Sequence, residues 1–173
     1  MIFVGGIHGV GKSYFCEIVK GRLGVNVYTA SEIISTSKKQ LFNKDKLISD
    51  IDNNQNYLLT AVEGLNKSEE FYLLDGHLCL LNGQGAVQRI SQETFISLNP
   101  SGILLLTDKP AIIAERRWLR DGINYDIMQI DCFQKEEVNY AEEISRIMDI
   151  PMFISKGSED IEGAIGFISS IVK

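Results

Sequence analysis

The residues best suited to chemistry stand near the start of the chain. Gly6-Ile7-His8-Gly9-Val10-Gly11-Lys12-Ser13 fits the pattern G-x-x-x-x-G-K-S/T, and Tyr14 follows it. Each type answers a demand of a polyphosphate. Glycines let backbone N–H groups close around phosphate oxygens, where a side chain would collide. A helix beginning at Lys12 turns its positive end toward the same anion. The Lys12 ammonium reaches the β- and γ-phosphates, and the Ser13 hydroxyl can ligate magnesium. The context agrees, because apolar Ile2 to Gly5 reads as a buried strand before the loop and Lys12 to Leu23 as a helix after it. Gly6, His8, Gly9, Val10, Gly11, Lys12, Ser13 and Tyr14 are therefore the expected contacts of ATP with Mg2+.

A second acidic group is expected at the end of another strand. Phe71-Tyr72-Leu73-Leu74-Asp75 is an apolar run that delivers a carboxylate, and ligands of open α/β sheets bind at that edge. Asp75 is expected to hold a magnesium-bound water beside Ser13 or to accept a proton. The plainer alternative is a turn aspartate before Gly76. His77, two residues on, is read first as structural.

Pro110 to Asp121 reads as a helix carrying Arg116, Arg117 and Arg120. At about 100° per residue, Arg116 and Arg120 fall in the stripe of Ile112, Ile113, Leu119 and Ile123. Arg117 points away, four residues from Asp121, as for a surface ion pair. Guanidinium groups on an apolar face need anionic partners, so Arg116 and Arg120 join Lys12 and Asp75 as expected catalytic residues. In the next helix, Ile127 to Met148, the expected apolar side is Ile127, Ile130, Val138, Ala141 and Met148. Gln134 lies among them and is expected to tie down a neighbouring helix rather than touch a ligand.

The elements that must position these residues alternate along the chain. Val25 to Tyr28, Gly102 to Leu106 and Pro151 to Ile154 read as further short strands. Ser31 to Lys39, Lys46 to Leu65 and Ile161 to Val172 read as helices. Short apolar strands separated by helices imply an α/β fold whose parallel sheet is covered on both faces. The 173 residues suit one domain, 1–173, and a hydrophobic content of 45% supplies its core. The net charge of −6, with no long basic run, argues against a nucleic-acid partner. The first residues lack a basic n-region and are expected to be no signal peptide. No stretch is long enough to span a bilayer. Cys16, Cys79 and Cys132 have no metal-ligand spacing. They are expected to be buried thiols in a reducing cytoplasm.

The order of these features resembles the adenylate-kinase-like P-loop nucleoside and nucleotide kinases. It is most similar to archaeal-type adenylate kinases and related small ATPases with an Asp-x-His second motif. Gly6 to Ser13, Leu74-Asp75-Gly76-His77, Leu98-Asn99-Pro100 before Ile103 to Leu106, and Glu115-Arg116-Arg117 with Arg120-Asp121 carry the likeness. Phe133-Gln134 and Asp149-Ile150-Pro151 continue it. The resemblance implies a P-loop NTPase three-layer fold with a five-stranded parallel sheet, nucleoside monophosphate kinase-like. It implies a mobile helical acceptor-binding segment at about 30–67 and a short lid at about 121–127. It also sets Arg116 and the Ser155-Lys156-Gly157 loop beside the adenine. Where such kinases add arginines, this chain reads Ile123-Asn124-Tyr125-Asp126 and Glu137-Val138-Asn139, and the acceptor segment offers Lys38 and Lys39 but no arginine.

The expected function is transfer of the ATP γ-phosphoryl group to a nucleotide or related small metabolite. A small P-loop ATPase acting as a switch on a protein partner is the alternative. Among kinase readings a phosphate acceptor is preferred to a sugar hydroxyl, because a monophosphate dianion needs no dedicated base.

Overall fold

The computed structural model describes residues 1–38, 47–48 and 51–172. In chain order it contains β1 (Ile2–Gly5), α1 (Lys12–Leu23), β2 (Asn26–Thr29), α2 (Ala30–Lys38), β3 (Leu47–Ile48), α3 (Ile51–Ser68), β4 (Tyr72–Asp75) and β5 (Cys79–Asn82). There follow β6 (Val87–Arg89), α4 (Gln92–Leu98), β7 (Gly102–Thr107), α5 (Pro110–Asp121), α6 (Ile127–Met148), β8 (Met152–Lys156), a 3-10 turn (Gly157–Asp160) and α7 (Ile161–Ile171).

Strands buried on both faces are written as unbroken apolar runs rather than alternating ones. β1, β4 and β7 obey this, with Ile2, Leu73, Leu74, Ile103, Leu104 and Leu105 wholly inaccessible. They form the middle of a five-stranded parallel sheet in the order β2-β4-β1-β7-β8. From β1 the chain moves to one side of the sheet, and from β2, β4 and β7 it moves to the other. Right-handed crossovers therefore put α1 on one face and the later connecting helices on the opposite one. Arg22 of α1 pairs with Glu162, so α7 lies beside α1. α3 packs on α4, and α4 on α6. The result is the expected three-layer arrangement.

The helices Lys12–Leu23, Pro110–Asp121 and Ile127–Met148 begin and end where the sequence pattern puts them. Glycine in the left-handed conformation closes α1 and α5, at Gly24 and Gly122. The sequence reading left the stretch between Gly76 and Leu98 without elements. It holds β5, β6 and α4, and with β3 the two strands make a second sheet in the order β3-β5-β6. The β5–β6 turn closes because the Asn82 side chain accepts from the N–H groups of Gln84 and Ala86. β3 and β6, of two and three residues, give too little pattern to be seen in the sequence alone.

Two expected faces are corrected by packing. On α6 the buried residues are Ile130, Phe133, Glu137, Tyr140, Ala141 and Ile144, whereas Ile127 is exposed. On α5 they are Ile113 and Arg117, whereas Leu119 and Ile123 are exposed. In both helices apolar residues occupy more than one side, so periodicity alone does not select the side that meets the sheet. Cys16 and Cys79 are buried as expected, but Cys132 is exposed on the outer side of α6. Burial pushes the Cys16 thiol up to about 12, which makes it a packing group rather than a nucleophile. Among the described residues no helix is long and apolar enough to cross a membrane.

Candidate active site

The phosphate loop joins β1 to α1 and is shaped by backbone conformations that side chains resist. Gly6 has φ 140°, and a Cβ there would stand 2.7 Å from the Leu106 carbonyl oxygen. Gly11, at φ 108°, is the left-handed N-cap of α1, and no side chain caps that helix. The first N–H groups of α1 thus lack a side-chain acceptor and open onto the cleft lined by Gly9, Gly11, Lys12 and Ser13. That is the arrangement a phosphate satisfies.

Lys12 is 8% exposed and held on three sides. Its Nζ donates to the Gly6 carbonyl at 2.5 Å, approaches His77 Nε2 at 3.1 Å and stands 3.8 Å from Asp75 Oδ1. An ammonium can only donate, so Nε2 of His77 is the acceptor in this contact. Burial lowers the Lys12 pKa, opposed by the Asp75 and Glu137 charges. Burial raises the Asp75 pKa, opposed chiefly by Lys12. The sheet register brings Asp75 here, since it pairs with Val4 on one side and Thr29 on the other. His77, read first as structural, therefore touches the loop lysine, and its ring lies 4.1 Å from that of His8.

Glu137 is the residue that sequence reasoning missed. It is 1% exposed, beneath the loop. Oε1 accepts from the N–H of Gly6 at 3.2 Å and of Leu78 at 2.9 Å, and Oε2 accepts from Cys79 at 2.6 Å. One carboxylate thus fastens the start of the phosphate loop to the segment just after Asp75-Gly76-His77. Burial raises its pKa, and the three N–H groups and Lys12 work against that rise. A signal existed, because Glu137 falls on the Ile130, Phe133, Tyr140, Ala141 stripe of α6.

Arg117 is the main correction. It does not reach solvent to pair with Asp121; it is 6% exposed, and its Nε donates to the His8 carbonyl at 2.8 Å. Its guanidinium lies over the Tyr125 ring at 5.1 Å, and its Nη2 is buried without a partner. The reason is Gly9, where a Cβ would come 2.8 Å from Arg117 Cγ, so the missing side chain lets α5 press on the loop. Asp121 pairs instead with Arg120, through contacts of 2.7 and 2.6 Å, and accepts from Tyr125 Oη at 2.8 Å. These partners hold Asp121 down at about 2. Arg120 is exposed rather than buried, yet it lines the phosphate cleft together with Arg116. Arg116 donates to the Val10 carbonyl at 3.0 Å and pairs with Asp108 at 2.9 Å.

Among the clefts that the described residues form around this centre, three bear on the nucleotide and the space beside it. The first, between α1, α5 and the end of β7, is lined by Val10, Tyr14, Thr107, Arg116, Gly157 and Ile161. Lys156 does not line it; its backbone N–H donates to Asp160 at 3.4 Å. The second is the phosphate cleft, with Lys12, Ser13, Thr29, Asp75 and the two arginines. The third lies between β1, α2, α3 and α4, and it shares His8, Ser31, Gly76 and His77 with the second. Gln134 serves none of them. Its amide accepts from Asp108 N–H at 3.0 Å and donates to the Asp108 carbonyl at 2.9 Å, which fixes the turn before α5. Lys39 lies outside the described residues, as does the side chain of Lys38. Among the described residues no cluster of three His, Cys, Asp or Glu groups could hold a metal by itself. A divalent ion would need the nucleotide's own oxygens, with the Ser13 hydroxyl and Asp75 carboxylate as hard donors from the chain.

A parallel sheet in this strand order, with a phosphate loop between β1 and α1, defines a P-loop protein of the kinase fold. A family model described as an AAA domain matches residues 5–132, and the chain belongs to that family. No curated protein matches the chain in sequence. Among solved structures it is similar to a gluconokinase from Sinorhizobium meliloti, at 15% identity over 98% of this chain and 91% of that one, with a TM-score of 0.58. A shikimate kinase from Bacteroides thetaiotaomicron matches at 13% identity over 99% and 97%, TM-score 0.54. A deoxyadenosine kinase from M. mycoides with bound dCTP matches at 15% identity over 99% and 98%, TM-score 0.54. At such identities the likeness shows the fold. It extends to P-loop kinases at large, not to archaeal-type adenylate kinases in particular.

Proposed function

We propose that this protein is an ATP-dependent phosphotransferase acting on a small-molecule acceptor. One observation carries the reading: a second cleft shares His8, Ser31, Gly76 and His77 with the phosphate cleft that holds Asp75 and Lys12. A switch ATPase needs only the nucleotide side, whereas a transferase must hold two reactants together. The family and the kinases that share the fold support the same reading. A nucleotide acceptor, as the adenylate-kinase resemblance implies, is one member of the proposed acceptor class.

The roles follow from position. The slot between Tyr14, Arg116 and Gly157 takes the nucleotide base. The N–H groups of the loop and the Lys12 ammonium bind the phosphates, and Arg116 and Arg120 offset charge on them. Ser13 and Asp75 would hold magnesium together with ATP, and the ion would supply neutralisation of the phosphate charge. For a hydroxyl acceptor, its oxygen forms the new bond to the γ-phosphorus while the bond to the β,γ-bridging oxygen breaks. ADP leaves, and the hydroxyl proton passes to the Asp75 carboxylate. The three free cysteines fit a reducing compartment, and we place the protein in the cytoplasm.

The test is Asp75→Asn, assayed with labelled ATP across candidate acceptors. The variant should keep the fold, bind Mg-ATP more weakly and lose about 10²–10⁴-fold in kcat. Wild-type turnover in the variant, or phosphate release that ignores every acceptor, would sink the assignment.

A further inference from the structure

The third cleft is built unlike a site for an anion. Its walls come from Phe3, Ile34, Leu58, Leu80 and Phe95, all buried. Among its described lining residues there is no lysine or arginine, and its two titratable groups, His8 and His77, stand where it meets the phosphate cleft. A phosphate or carboxylate held between such walls would lose water without gaining a cation from the described lining residues. Among those residues the one buried polar atom without a partner is Asn54 Oδ1, on a residue 5% exposed. Buried amide oxygens are nearly always satisfied, so an orphan on the wall of a cleft asks for a donor from whatever fills that cleft.

We infer that this cleft takes an uncharged, largely apolar ring compound, which donates an N–H or O–H to Asn54 and presents a hydroxyl toward Asp75. The inference rests on the phosphotransferase reading and gives its acceptor a chemical class. The apolar walls select the ring by burial. Asn54 orients it, because an edge without a donor would leave the amide oxygen unmet. The cleft shares His8, Ser31, Gly76 and His77 with the phosphate cleft, so the hydroxyl is the group presented on that side. This reverses the preference for a phosphate acceptor drawn from the proton argument alone.

The experiment is calorimetric titration of the full chain, loaded with magnesium and a non-hydrolysable ATP analogue. Uridine, cytidine, adenosine, a hydroxymethylpyridine and a hydroxymethylpyrimidine are the uncharged probes, and gluconate and the 5′-monophosphates are the anionic ones. At least one uncharged probe should bind at least tenfold tighter than every anionic probe. Asn54→Leu should weaken it at least tenfold, leave binding of the ATP analogue unchanged, and melt no lower than wild type, since it removes an orphaned buried oxygen. Asn54→Ser, which shortens the side chain, should weaken the same probe as well and guards against misfolding of the leucine variant. Tighter binding of an anionic probe, no binding of any uncharged probe, or unchanged affinity in both variants would overturn the inference. Failure of wild type to bind the ATP analogue would instead remove the phosphotransferase reading, and titration of the uncharged probes without nucleotide would still read the cleft.

Discussion

Glu137 shows what a single residue can do at distance in sequence. Its carboxylate takes N–H groups from positions 131, 59 and 58 residues away, and each of them would otherwise be buried without an acceptor. Glu137→Gln keeps the shape but turns an NH2 group toward at least one of those donors. Each unmet buried group costs about 1–3 kcal/mol. The variant should lose that much stability in urea unfolding, and Glu137→Leu more, because all three donors lose their acceptor. Since Gly6 begins the phosphate loop and Leu78 follows His77, the glutamine variant should also bind Mg-ATP more weakly. A change below about 0.5 kcal/mol, the usual range for a surface substitution, would deny Glu137 this role.

At the scale of the element, α5 presents three arginines in three environments, and alanine variants should separate them. Arg117→Ala removes a buried charge-assisted bond to the His8 carbonyl, worth about 1.5–3 kcal/mol, and the packing of its stem on Gly9. It should lower the melting temperature. Arg116→Ala removes one wall of the base slot and a partly exposed pair with Asp108, so ATP affinity should fall at nearly constant stability. Arg120→Ala breaks an exposed pair worth about 0–1 kcal/mol, but the side chain lines the phosphate cleft, so its effect should fall on kcat, by at least about tenfold. Thermal melting and steady-state kinetics on the three variants decide the matter. A destabilised Arg120→Ala with an unperturbed Arg117→Ala would return the helix to the phase expected from periodicity.

For the whole molecule, nucleotide binding should register as stability. The uncapped start of α1 and the caged Lys12 are arranged for an anion. Mg-ATP at 100 times its Kd stabilises a folded chain by about 2.7 kcal/mol. For a protein of this size that is roughly 5–10 °C in melting temperature. Lys12→Ala should abolish the shift, because the ammonium is the cation fixed inside the loop; removal of magnesium should reduce it in wild type. An unchanged shift in Lys12→Ala would contradict the phosphate-site assignment.

The phosphate loop, the bounds of α1, α5 and α6, and Asp75 at a strand end were legible in the sequence because each is local. Eight consecutive residues specify the loop's conformation, glycines close the two helices that end at Gly24 and Gly122, and an apolar run of four fixes a buried strand. The rest depended on what those elements meet. Which side of α5 is buried was decided by the absence of a side chain at Gly9, and Arg117 turned inward as a result. The roles of Glu137 and His77 required the sheet to bring segments dozens of residues apart within hydrogen-bond range. The third cleft is assembled from β1, α2, α3 and α4, so the absence of cations among its described lining residues could not be read from any single stretch. Periodicity states that a helix has an apolar side; only packing against a particular neighbour decides which polar residue is enclosed with it.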